Sequence, residues 1–198
     1  MSLPIDDLKL QRTGPEETSL DSEQVGRARS GDSSAFEALC TRYYEQIKHY
    51  LIRMVGNDAI GYELTQETFL KAWQALPGLR EEARFVGWLY QIATNIAHDH
   101  QRRARLVSWL PWEKYQEHET SGQASPETQI EETEFLKFAL ARVSWKYRAC
   151  VVLYIIEELP QSQVAERLGI KASYVSNYVR RGLDELRAIY MRLACEQE

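Results

Sequence analysis

Apolar residues recur at intervals of three and four along most of the chain, and this spacing places them on one face of an α-helix. The first such run follows Gly31-Asp32 and contains Ala35, Phe36, Leu39, Tyr43, Ile47, Tyr50, Leu51, Met54 and Val55. A second run starts near Gly61 and ends at Pro77-Gly78, and a third extends from Phe85 to Arg103. The pattern therefore predicts three helices in the first half of the chain.

The second half contains a shorter and more specific pattern between Gln161 and Leu183. Ala165 is small where two helices would cross, and Gly169 allows the positive φ of a tight turn between them. Apolar residues are spaced to form a core beneath this turn: Val164, Leu168, Ile170, Val175 and Val179. This pattern predicts a helix-turn-helix, whose second helix enters the major groove of DNA. An ordinary helical hairpin with a solvated polar face is the alternative.

The composition agrees with helix and excludes several protein classes. The 198 residues are 44% apolar and 27% charged, with ten Gly and six Pro. These are few turn residues for a β-sandwich or barrel. No stretch approaches the roughly 18 uninterrupted apolar residues of a membrane span, and residues 1–19 are polar. We therefore expect an all-α, cytoplasmic protein without membrane insertion.

The charge distribution predicts the domain organisation. The net charge of -5 by itself argues against nucleic-acid binding. However, residues 108–133 hold one basic and six acidic residues, whereas residues 134–192 hold ten basic and six acidic ones. We predict two small helical domains, 20–107 and 134–198, joined by an acidic flexible linker over 108–133. Residues 1–19 are expected to form a disordered N-terminal arm.

The sequence contains no pattern typical of catalysis or of cofactor or metal binding. His98 and His100 flank Asp99, but residues 98 and 100 of one helix point about 200° apart and cannot ligate one ion. The chain lacks a Gly-rich phosphate loop, a nucleophile elbow and a Cys cluster. Cys40 and Cys150 are expected to be reduced and packed as small hydrophobic residues. We predict no catalytic residues, no cofactor and no metal, and therefore no enzyme.

Four segments stand in a characteristic order: Gly31 to Leu39, Leu64 to Trp73, Phe85 to Arg103, and Glu157 to Arg187. In this order they resemble the opening helix, the polymerase-binding helix, the promoter-melting segment and the promoter-reading domain of one family. That family is the extracytoplasmic-function sigma factors of the sigma-70 family. The resemblance covers roughly residues 30–106 and 135–193, and it implies a region-2 domain followed by a region-4 helix-turn-helix domain.

The resemblance implies two groups of site residues in the first domain. Those matching the face that binds core RNA polymerase are Glu63, Gln66, Glu67 and Leu70, which share one side of a helix. Those matching the segment that meets the separated -10 element are Trp88, Asn95, Asp99, Arg102 and Arg103. Among these we favour Asn95 and Arg102 over the ring of Trp88, because aromatic residues are more often part of a core.

The polar face of the second helix of the helix-turn-helix is a third group, suited to base edges and phosphates of a -35 duplex. It comprises Ser173, Ser176, Asn177, Arg180 and Arg181, together with Lys171. We expect Asn177 and Arg180 to influence base preference, and Lys171 and Arg181 to contact phosphates. The resemblance implies a sigma factor that binds core polymerase, recognises -35 and -10 promoter DNA and assists promoter melting. It leaves open whether an anti-sigma protein is a further partner. A stand-alone helix-turn-helix transcriptional regulator is the alternative function.

Overall fold

The computed structural model describes residues 15–107 and 136–195, and within these ranges the chain is helical and contains no strand. This confirms the predicted all-α class. No described helix combines the length and the hydropathy needed to cross a membrane.

Each predicted domain is a small group of helices. The first contains α1 (Pro15–Arg29), α2 (Ser33–Val55), α3 (Asp58–Ala75) and α4 (Phe85–Val107). Two 3-10 turns connect α3 to α4, at Leu76–Gly78 and Glu82–Arg84. The second domain contains α5 (136–142), α6 (Trp145–Val151) with a π-helical extension (Val152–Ile156), α7 (Gln161–Leu168) and α8 (Ala172–Cys195). The predicted acidic linker, 108–133, lies outside the described residues.

Helix α2 begins where the sequence predicts, after the Gly31-Asp32 start signal. The Asp32 carboxylate accepts hydrogen bonds from the backbone N–H groups of Ser34 and Ala35, so it satisfies donors that the first helical turn leaves free. The Ser34 hydroxyl and the Arg27 guanidinium also donate hydrogen bonds to this carboxylate. Together with the bond from the Ala35 N–H, they hold the pKa of Asp32 well below its ordinary value. Gly56 ends the helix at a φ of 72°, a conformation that glycine adopts without a steric penalty.

Helix α3 begins earlier than predicted, at Asp58 rather than near Gly61. The side chain of Asn57 caps it by accepting a hydrogen bond of 3.0 Å from the Ile60 N–H. Gly61 lies inside the helix, where a Cβ would stand 2.4 Å from Cγ1 of Ile52. This glycine therefore permits close packing of α2 on α3 and does not mark a helix start.

Helix α1 has no counterpart among the predicted helices, and it begins at Pro15, inside the predicted disordered arm. Proline is favourable at a first helical position, because the N–H that it lacks would have no helical partner there. Val25 and Ala28 are buried against the rest of the domain, and the Asp21 carboxylate accepts hydrogen bonds from Arg42 and Tyr43 of α2. The remainder of the predicted arm, residues 1–14, lies outside the described residues.

The two domains pack directly against each other. One cluster of buried apolar residues runs through both, from Leu39 and Leu89 to Leu153 and Val164. The Cys150 thiol is fully buried in it, and burial raises the pKa of this thiol to about 12. Cys40 is half-buried with a pKa raised to about 11 by burial and by the Glu37 charge. Both thiols are free and act as hydrophobic residues, as predicted.

Candidate functional site

An exposed face of α3 carries the predicted polymerase-binding residues. Glu63, Gln66 and Leu70 are exposed and Glu67 is partly exposed, while Leu64 and Phe69 on the opposite side are buried. Leu70 is 58% exposed, and a partner surface that covered it would remove apolar area from water. Glu67 forms an ion pair of 2.6 Å with Lys71. The face thus presents carboxylates around one apolar side chain.

A face of α4 carries the residues predicted for -10 DNA, at positions 88, 95, 99 and 102. The Asn95 amide is exposed and has no hydrogen-bond partner within the described residues. Asp99 and Arg102 form an ion pair of 3.2 Å. Trp88 packs on Phe85 at a centroid distance of 5.9 Å and is partly buried. Asn95 is thus the exposed polar residue of this face without a partner among the described residues, whereas Asp99 and Arg102 pair with each other. Arg103 is also exposed.

The predicted helix-turn-helix is present in α7 and α8. Gly169 ends α7 at a φ of 64°, so the tight turn uses the glycine as predicted. Val164 and Val175 are fully buried, and Val179 and Ala165 are nearly so. The two helices therefore meet along the predicted apolar positions, and the polar residues of α8 lie outside this apolar contact.

The polar face of α8 brings together the residues predicted for the -35 duplex. Lys171, Ser173, Ser176, Arg180 and Arg181 are exposed, and Asn177 is partly exposed. The Ser176 hydroxyl accepts a hydrogen bond of 2.8 Å from Gln161 at the start of α7. The Asn177 amide oxygen accepts one of 3.2 Å from Arg180. The face is rich in hydrogen-bond donors, which suits the acceptors of base edges and phosphates.

A buried polar cluster, which the sequence did not predict, joins the two domains. The Glu157 carboxylate at the end of the π-helical turn lies 3.1 Å from the Arg53 guanidinium of α2 and accepts a hydrogen bond from the Tyr90 hydroxyl of α4. Arg167 of α7 lies over the Tyr90 ring at 4.3 Å. The Arg53 and Glu157 side chains are 8% and 6% exposed. Charges this deeply buried persist only with such partners.

Two glycines of the first domain allow the second domain to approach closely. A Cβ at Gly56 would lie 2.7 Å from the Ala141 Cβ, and one at Gly87 would lie 3.2 Å from the Glu166 Cγ. Next to Gly87, the Gln91 amide donates a hydrogen bond of 3.1 Å to the Glu166 carbonyl oxygen. The contact runs further along α4, where the ring of His98 lies 4.4 Å from that of Trp145.

Among the residues that the structure describes, no three His, Cys, Asp or Glu side chains are grouped so that they could hold a metal ion. The exposed faces of α3, α4 and α8 are the candidate functional surfaces, and each is suited to binding a macromolecule.

Comparison with known protein families identifies both domains. The family model described as Sigma-70 region 2 matches residues 39–107, and the one described as Sigma-70, region 4 matches residues 136–186. The ECF RNA polymerase sigma factor SigW of Bacillus subtilis is 27% identical over 83% of this chain and 94% of its own length. The RNA polymerase sigma factor CarQ of Myxococcus xanthus is 29% identical over 86% of this chain and 97% of its own length.

Solved structures share the fold. CnrH, solved in complex with the cytosolic domain of CnrY, is similar with a TM-score of 0.64 and 22% identity, over 87% of this chain and 98% of that one. The sigma factor RpoE from Bartonella quintana, solved in complex with the anti-sigma factor NepR, is similar with a TM-score of 0.62 and 17% identity, over 79% and 96% of the two chains.

Proposed function

Because this chain belongs to the extracytoplasmic-function group of the sigma-70 family, we propose that its three exposed faces divide the work of a sigma factor between them. The protein binds core RNA polymerase, directs it to promoters and takes part in opening them. In the proposed division, α3 binds the polymerase, α4 contacts the -10 element and α8 recognises the -35 duplex. The stand-alone regulator is not favoured, since it would not account for the region-2 domain.

The observation that carries the proposal is the separation of two chemically different faces on two different domains. The α3 face is acidic around the exposed Leu70, and acidic groups repel DNA phosphates but attract arginine and lysine of a protein. The α8 face holds amide, hydroxyl and guanidinium donors, which suit DNA. We propose that the protein itself makes and breaks no covalent bond and acts in the cytoplasm, where polymerase and promoter DNA are found.

The packed arrangement of the two domains is proposed to be the state of the protein away from a promoter. The -10 and -35 elements lie about 25 base pairs apart, which is about 85 Å at 3.4 Å per base pair. A compact body the size of the described ranges, 15–107 and 136–195, has a radius of gyration of about 15 Å. The packed domains cannot span both elements, so the interface around Arg53 and Glu157 must open. An anti-sigma protein, such as the one bound to the similar RpoE, is proposed as a partner of the packed state.

Replacement of Glu67 by lysine is expected to weaken binding to core polymerase by about 1–3 kcal/mol, because it reverses a charge at the proposed interface. Fluorescence anisotropy with labelled protein measures the affinity, and run-off transcription with purified core polymerase measures the consequence. Glu37→Lys makes the same charge change at an exposed position of α2 and should bind like the wild type. Wild-type affinity of the Glu67→Lys variant would contradict the assignment of this face.

Replacement of Asn177 by alanine is expected to relax discrimination at one or two -35 positions by about 1–3 kcal/mol. Lys171→Ala should instead weaken all sequences alike, because a phosphate contact carries no sequence information. Holoenzyme binding to a set of promoters that vary at each -35 position distinguishes the two effects. An unchanged base preference in Asn177→Ala would show that this amide does not take part in base recognition.

A further inference from the structure

Three tyrosines form a row of ring contacts along the flank of α8, which we call the tyrosine ridge: Tyr147 of α6, then Tyr178 and Tyr174 of α8. The rings of Tyr174 and Tyr178, one helical turn apart, stack with centroids 6.0 Å apart and planes inclined by 13°. The ring of Tyr147, from α6, meets Tyr178 edge-on at 5.4 Å. Tyr174 is 47% exposed. The ridge lies beside the proposed DNA-binding face, and the sequence pattern assigned it no role.

Tyr147 reaches this flank because α6 and α8 cross closely at a glycine. A Cβ at Gly182 would lie 2.6 Å from Cγ2 of Val151 and 3.1 Å from the Tyr147 carbonyl oxygen. A larger residue at position 182 would force the two helices apart, since packed interiors leave no spare volume. The crossing therefore holds Tyr147 next to Arg181, the residue that precedes Gly182.

Tyr147 holds the guanidinium of Arg181 in place. Nη1 of Arg181 donates a hydrogen bond of 3.0 Å to the Tyr147 hydroxyl, and the guanidinium carbon lies 6.0 Å from the centroid of the ring. This hydrogen bond raises the pKa of Arg181 above its ordinary value, and the guanidinium is charged in any case. In the part of the chain that the structure describes, no carboxylate pairs with Arg181, whereas Arg180 approaches Asp184 at 3.8 Å.

We propose that Tyr147 is a positioning residue for -35 recognition, which holds Arg181 ready to bind a DNA phosphate. The inference rests on the proposed function of α8. An arginine that is already held by a hydroxyl and a ring loses less conformational freedom when it binds. The bond to Tyr147 occupies one N–H of the guanidinium, and its other donors remain for phosphate oxygens. Tyr178 packs against the Tyr147 ring and keeps it in position.

The test measures binding of the reconstituted holoenzyme to promoter DNA over a range of salt concentrations. Tyr147→Phe keeps the ring and removes only the hydroxyl, and it should weaken all -35 sequences alike by about threefold to tenfold. Arg181→Ala should weaken them by about tenfold and reduce the salt slope by about one. Because both changes act on the same contact, that of Arg181 with a phosphate, the double variant should bind no more weakly than Arg181→Ala. Tyr154→Phe, which removes a hydroxyl of the same domain without a hydrogen-bond partner among the described residues, should bind like the wild type.

Each outcome separates the positioning role from the function on which it rests. If Tyr147→Phe binds like the wild type, Tyr147 does not position Arg181. The same conclusion follows if the loss of DNA affinity in the double variant is the sum of the losses in Tyr147→Phe and Arg181→Ala. If Arg181→Ala and Asn177→Ala both leave -35 binding unchanged, the proposed function of α8 is wrong. Thermal unfolding of each variant checks that the helix-turn-helix is retained.

Discussion

Replacement of Arg148 by methionine is expected to lower the free energy of unfolding by about 3–4 kcal/mol. Arg148 is 1% exposed, and its guanidinium donates hydrogen bonds to the carbonyl oxygens of Met54, Ala141 and Val143. Met54 lies in the last turn of α2, and Ala141 lies in the last turn of α5. One cation therefore satisfies carbonyls at two helix C-termini, whose dipoles stabilise its positive charge.

Methionine fills a similar volume but donates no hydrogen bond, so the variant leaves these buried carbonyls without their donor. Chemical denaturation of the full chain measures the loss. Arg187→Met makes the same replacement at an exposed position of α8 and should change the stability by less than about 0.5 kcal/mol. A loss below about 1 kcal/mol in Arg148→Met would mean that water or another donor replaces the guanidinium.

A disulfide between the domains is expected to abolish promoter-dependent transcription, and a reductant should restore it. A Cβ at Gly87 would lie 3.2 Å from the Cγ of Glu166, so the pair Gly87→Cys and Glu166→Cys is close to the spacing of a disulfide. Once oxidised, this pair would hold the domains together and prevent them from reaching both promoter elements. Run-off transcription should fall by more than about tenfold in the oxidised form, because contacts to one element are lost.

The single variants Gly87→Cys and Glu166→Cys are the controls, since neither can form the bridge. Burial raises the pKa of the Cys40 and Cys150 thiols, which disfavours an unintended disulfide because the thiolate is the reacting form. The third cysteine, Cys195, is replaced by serine in every variant. Equal transcription by the oxidised and the reduced double variant would contradict the proposal that the domains separate at a promoter.

Local patterns accounted for the parts of the fold that depend on neighbours in the sequence. The start of α2 at Asp32, the start of α4 at Phe85 and the turn at Gly169 were all predictable. Caps, helical periodicity and turn glycines act within a few residues, so they are readable from the sequence. The start of α3 was misplaced because Gly61 serves the contact with Ile52, which is a tertiary reason for a glycine.

The candidate surfaces were predictable to the same extent. Helical spacing places positions 63, 66, 67 and 70 on one face, and the structure keeps these side chains at least partly exposed. The sequence did not reveal that Arg180 hydrogen-bonds to Asn177 or that Tyr147 holds Arg181. The second of these contacts joins residues that are 34 positions apart, and no local pattern reports it.

The sequence by itself determined the all-α class, the helix-turn-helix and the family of this protein. Each of these depends on the spacing and order of residues along the chain, which the sequence displays directly. Only the tertiary structure decided how the domains meet. Arg53 and Glu157 are 104 positions apart and Met54 and Arg148 are 94 apart. Their pairing requires two domains to dock so that a buried charge finds its partner, and the free energy of such contacts exists only after docking.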